Sequence, residues 1–184
     1  MRTGTIAALA MFAALLAVLV APAAHAEIIV DHVGQNNPTG ESPAWSPFGS
    51  FTSTDHGSEM GKDYWSMRVM DNPDRYGYYK YGLTAGNLGS PDGWTATAIM
   101  RLVSARTNPL NTAFGVPDGS DWWGMSFIDG LGTAAAGVYA VTSLSSLGPL
   151  LSDVNPTLGY HTYQMVFDPD DDQITFYMDG LSLG

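Results

Sequence analysis

An all-β antiparallel sandwich is the fold class this sequence predicts, on three observations. Short runs in which apolar and polar residues alternate with a period of two recur along the chain. Between them lie clusters of Gly, Pro, Asn, Asp and Ser that set turns. Beyond the N-terminal region, no segment carries the 3.6-residue periodicity of an amphipathic helix.

Taken in order, the chain opens with a segment that reads as a secretory signal. Arg2 supplies a positive start, residues 6–20 are apolar without a break, and Ala24-His25-Ala26 places small residues at both positions a signal peptidase needs. The apolar run is shorter than the roughly 20 residues needed to cross a bilayer, and Pro22 follows it. Residues 1–26 are therefore expected to be cleaved, leaving 27–184 as one domain that is secreted, periplasmic or held at the cell surface. No later run is apolar for long enough to span a membrane as a helix.

In the remainder, residues 28–33 form a short apolar strand and 35–61 read as loop, punctuated by Asn36-Asn37-Pro38, Ser42-Pro43 and Ser46-Pro47. Residues 64–70 and 78–83 read as strands flanking the turn Asp71-Asn72-Pro73-Asp74. The longest candidate strand is 94–105, with Trp94, Ala96, Ala98, Met100 and Leu102 on one face. Residues 122–128 and 137–143 add two more. The clearest element is a hairpin of 160–167 and 173–179, joined by Asp168-Pro169-Asp170-Asp171-Asp172, whose residues favour local side-chain bonds and preset backbone angles.

The formal charge is −11 and basic residues are few and scattered, which speaks against nucleic acid or an anionic membrane as partner. There is no cysteine, so disulfides and thiolate metal sites are excluded and packing alone must hold the domain.

The stretch Tyr160-His161-Thr162-Tyr163-Gln164-Met165-Val166-Phe167-Asp168-Pro169, followed by Ile174-Thr175-Phe176-Tyr177-Met178-Asp179-Gly180, resembles the hairpin of laminin-G-like domains of the concanavalin A-like lectin/glucanase superfamily. Residues 94–103 resemble an earlier core strand of the same domains. The resemblance implies a concanavalin A-like jelly roll in an exported bacterial protein, with His161 at a position where the family carries a structural histidine. Such domains usually continue past the Asp-Gly strand, whereas this chain stops at Gly184. The expectation is an incomplete sequence, with a sheet edge left open to pairing.

Because the superfamily includes glucanases, glycoside hydrolysis comes first among chemistries. It needs two positioned carboxylates. The glutamates are Glu27, Glu41 and Glu59, all before the core strands and none with the Glu-x-Asp-x-Glu spacing of such enzymes; Asp118 and Asp121 sit in a turn. A part of a larger sialidase- or glucanase-type enzyme stays open as an alternative, as does a structural surface protein without a ligand. The glycines are dispersed through turns and are not gathered into a phosphate-binding loop. Asp168, Asp170 and Asp172 offer hard oxygen ligands that suit calcium, against the plainer reading of a solvated turn. His32, His56 and His161 lack the spacing of a zinc site.

Sugar binding is the remaining class. Aromatic faces stack on pyranose rings, and Trp122, Trp123 and Tyr79 are the candidate contacts. Adjacent strand residues point to opposite faces, so Trp122 and Trp123 cannot both be core. The leading expectation is a non-catalytic carbohydrate-binding or adhesive module whose partner is a glycan or cell-surface polysaccharide.

Overall fold

The chain divides into two compact units, Met1–Asp31 and His32–Gly184. The computed structural model describes residues 32, 34–42, 44–49, 53–68, 77–79, 93–103, 113–118, 121–130, 134–141 and 147–184, all in the second unit. The expected signal peptide lies outside the described residues, as does the strand expected at 28–33 except for His32.

Two four-stranded antiparallel sheets carry the core. The first, here the hairpin sheet, runs β12 (Leu181–Ser182), β11 (Gln173–Met178), β10 (His161–Asp168) and β5 (Trp94–Met100). The second, the meander sheet, takes β6 (Ala113–Asp118), β7 (Asp121–Ile128), β8 (Gly137–Val141) and β9 (Leu150–Ser152) in sequence order. Two smaller pairs complete the described strands: β1 (Ser46–Phe48) with β4 (Gly77–Tyr79), and β2 (Ser53–Glu59) with β3 (Lys62–Arg68). Among the described residues, helical structure is confined to a 3-10 turn at Pro38–Gly40, which the side chain of Asn37 caps.

Period-two alternation puts one face of each large sheet into a shared interior. Register pairs Met165 with Phe176 and Ala96, and Tyr163 with Met178 and Ala98. On the other sheet Met125 pairs with Ala140 and Phe114, and Phe127 with Val138. Apart from Ala98 these side chains meet in one cluster, and Met125, Met165 and Val138 are wholly buried. The Phe127 and Tyr163 rings, 4.6 Å apart, join the sheets directly. Each large side chain taken fully out of water contributes about 1.5–3 kcal/mol, which suits a domain with no covalent cross-link. The architecture is thus all-β, antiparallel and sandwich-like.

The predicted strands at 94–105, 122–128, 137–143 and the terminal hairpin are all present, with altered ends. β5 stops at Met100 because the chain leaves the ladder there; the Leu102 amide donates instead to the Pro156 carbonyl at 3.2 Å. The expected loop at 35–61 is corrected: it contains β1 and all of β2. The sequence Ser-Thr-Asp-His-Gly-Ser-Glu hides β2, since exposure along both faces leaves no apolar alternation to read. Among the described residues the two strands expected around residues 71–74 show no pairing with each other; β3 pairs with β2 and β4 with β1. β6, too, lay in a stretch not expected to be extended. No helix among the described residues is long and apolar enough to cross a membrane.

Candidate functional site

The two adjacent tryptophans sit at the start of β7. Trp123 shares a strand face with Met125 and Phe127 and pairs with the buried Val116 across β6. Trp122 therefore points away from the shared core, as the alternation requires. Its position there depends on two glycines. Gly115 and Gly124 are opposite one another in the β6–β7 register, two residues along from the Pro117–Trp122 pair and on the same face. A Cβ built on Gly115 would lie 2.2 Å from Trp122 Cζ2, and one on Gly124 would lie 2.5 Å from Cη2 and Cζ3. No carbon atom tolerates such separations, so the six-membered ring of the indole occupies the space the missing side chains vacate. The ring lies against the backbone of both strands and stays half-buried. Tyr79 contributes backbone to β4 opposite Ser46, while its side chain lies outside the described residues.

A second feature lies where β9, at one end of the meander sheet, meets the β12 end of the hairpin sheet. Ser152 and Val154 from β9 and the turn after it, with His161, Met178, Asp179, Leu181 and Leu183 from the hairpin sheet, line a cleft of about 250 Å³. At its margin Asp179 holds two elements together. Oδ2 is 2.7 Å from His161 Nδ1, and Oδ1 accepts from the Thr162 amide at 2.9 Å. The Asp179 amide donates in turn to the Thr162 carbonyl at 2.8 Å. A carboxylate can only accept, so the ring proton faces Asp179 from Nδ1. These bonds, His161's first and Thr162's second, hold the Asp179 carboxyl below the usual carboxylate range. Behind them, burial and then the Asp179 charge push the Tyr163 phenol far above its ordinary value.

Sequence reading singled out His161 as structural, and it missed Asp179 as its partner. The signal was the Asp179-Gly180 pair. Both residues have positive φ, 51° and 81°, the signature of a two-residue type I′ turn from β11 to β12. That turn carries the carboxylate back to the start of β10.

The cleft brings a serine of the meander sheet together with a histidine and an aspartate of the hairpin sheet. Base catalysis would require the serine hydroxyl to be bonded to the far ring nitrogen. Instead His161 Nε2 is buried without a hydrogen-bond partner, and Ser152 Oγ accepts from the Val154 amide at 3.2 Å. In this geometry the His161–Asp179 pair braces the turn.

The aspartate cluster occupies the four-residue connection between β10 and β11, closed by the Asp168–Gln173 pair. Asp168 Oδ1 accepts from the Asp170 amide at 2.9 Å, and Asp172 takes the left-handed conformation at φ 52°. That is turn chemistry. Among the described residues no three His, Cys, Asp or Glu side chains converge to hold a metal ion, so Asp168, Asp170 and Asp172 are not brought together as a ligand set.

Fold and geometry together define an all-β antiparallel sandwich-like protein with an aromatic seat on one sheet and a braced turn on the other. Comparison with protein-family models, with curated proteins and with solved structures found no match.

Proposed function

We propose that this chain is an exported, non-catalytic carbohydrate-binding module on a concanavalin A-like jelly roll, and that Trp122 is its stacking platform. The observation that carries the reading is the indole seated on Gly115 and Gly124, away from the core. The half-buried ring is held at its rear against bare backbone, on a sheet face where Ser126, Ile128 and Val141 are buried, and the part left open is a rigid apolar surface, the kind of group that orients a ligand at low entropic cost. The charge of −11 favours uncharged glycans over acidic ones.

The test is a glycan array with the purified protein, with and without EDTA, repeated for Trp122→Ala. Selective binding that the variant loses while its circular dichroism stays unchanged supports the reading. Loss in EDTA would implicate the aspartate turn as well. Absence of binding by the folded protein would overturn the proposal in favour of a structural surface role.

A further inference from the structure

The outward face of the hairpin sheet has an unusual composition for so acidic a chain. Register places Thr97, Gln164 and Tyr177 in one row across β5, β10 and β11, and Thr95, Val166 and Thr175 in the next. All are exposed or half-buried. Gln164 Nε2 donates to Thr97 Oγ1 at 3.2 Å, which orients the amide along the first row. Apart from Asp168 at the end of β10, none of the outward side chains of these three strands is charged. Protein surfaces commonly carry about a quarter to a third Lys, Arg, Glu and Asp, so on a molecule of net charge −11 it is notable that, among the described residues, charge on this face stands only at its ends, in the Arg101–Glu59 pair and at Asp168.

From this we infer that the outward face of the hairpin sheet is a second glycan-contact surface, which takes an uncharged polysaccharide chain lying across the strands along the row Thr97–Gln164–Tyr177. The inference rests on the carbohydrate-binding reading above and extends it to a different face from Trp122. Charge selects the occupant. An acidic polymer is repelled by the whole molecule, and a basic partner finds its countercharges elsewhere, as at the aspartate turn. An apolar partner would meet hydroxyls and an amide. An uncharged polyhydroxyl chain matches, because Thr hydroxyls and the Gln amide both donate and accept, and the Tyr177 ring adds an apolar surface with a polar tip. Three strands about 4.8 Å apart make the row about 10 Å long in the direction the chain would follow.

The experiment is affinity electrophoresis and co-sedimentation of the intact protein with uncharged polysaccharides (cellulose, chitin, mannan) and with acidic polygalacturonate, at low and high salt. Variants are Tyr177→Ala, the exposed-site Thr97→Glu, and Trp122→Ala. The expected result is retention by an uncharged polymer that salt leaves unchanged. Tyr177→Ala and Thr97→Glu should each weaken it on the order of tenfold, the equivalent of about 1.4 kcal/mol. Loss of binding in Trp122→Ala with both hairpin-sheet variants unaffected would overturn this inference and leave the Trp122 platform standing. The reverse pattern would establish this face and remove Trp122. Salt-sensitive retention by polygalacturonate alone would overturn the inference.

Discussion

The hairpin of β10 and β11 and the hairpin of β2 and β3 share a backbone plan and are held by opposite means. Both are antiparallel with unbroken register, and both turn through a residue of positive φ, Asp172 in one and Met60 in the other, each at 52°. The first is fixed by what it buries. Tyr163, Met165, Phe176 and Met178 all lie in the common core. The second keeps most of its side chains exposed and is tied by polar contacts at its own surface. Ser58 donates to Asp63 at 2.5 Å, Ser66 to the Asp55 carbonyl at 3.3 Å, and His56 stacks on Trp65 with ring centres 6.0 Å apart. Its one described ion pair outward is Glu59 with Arg101 at 2.8 Å. Topology alone therefore does not tell which hairpin the domain depends on; burial does.

Substitutions can break or sharpen that contrast. The largest effect is expected for Phe176→Ala, which leaves a cavity between the sheets and should cost about 3–5 kcal/mol in urea unfolding. His56→Ala, truncating a ring of the outer hairpin, should cost a small fraction of that. Equal losses at the two sites would show that β2–β3 is as integral as the core hairpin.

A smaller effect, separable by pH, is expected at Asp179. Because its carboxyl is held below the usual range in the folded protein, it contributes stability that is present above the unfolded carboxylate pKa and is lost as pH falls through the lower folded value. Asp63 in the outer hairpin is shifted the same way, by Ser58 first and Gln35 second, but in full solvent. Asp179→Asn should therefore flatten the fall of the urea midpoint between neutral and acidic pH, and Asp63→Asn should flatten it less. If Asp63→Asn proved the stronger of the two, the brace at His161 would not be what makes the core hairpin acid-sensitive.

The smallest expected effect is that of Arg101→Gln. The pair with Glu59 is partly exposed, so removing it should cost roughly 0.2–1 kcal/mol at low salt and less at high salt. The 5.7 Å approach of the Arg101 guanidinium to the Tyr160 ring belongs to the same loss. A larger, salt-independent cost would mean that Arg101 anchors β2–β3 through packing.

The same contrast explains what the sequence made legible. Residues 160–179 announced themselves because apolar side chains at every second position must share a buried face, and the aspartate-rich turn between them has few alternatives. β5 was legible for the same reason, and Trp122 and Trp123 part to opposite faces as alternation demands. β2 was not, because an exposed strand has no burial pattern to display, and its pairing with β3 is written in Ser58, Asp63 and Asp55, residues equally at home in loops. The Asp179–His161 bond was hidden by separation along the chain. The seat under Trp122 was hidden because a glycine in a strand pair announces only a missing side chain, and nothing local says what fills the gap.

That seat ties three positions into one heritable unit. Any side chain at 115 or 124 would collide with the Trp122 ring, so a lineage that keeps the indole must keep both glycines, and one that restores a Cβ at either must let residue 122 change with it. In related chains the three positions should covary as a set, with the spacing of Gly115, Trp122 and Gly124 preserved even where the intervening turn drifts.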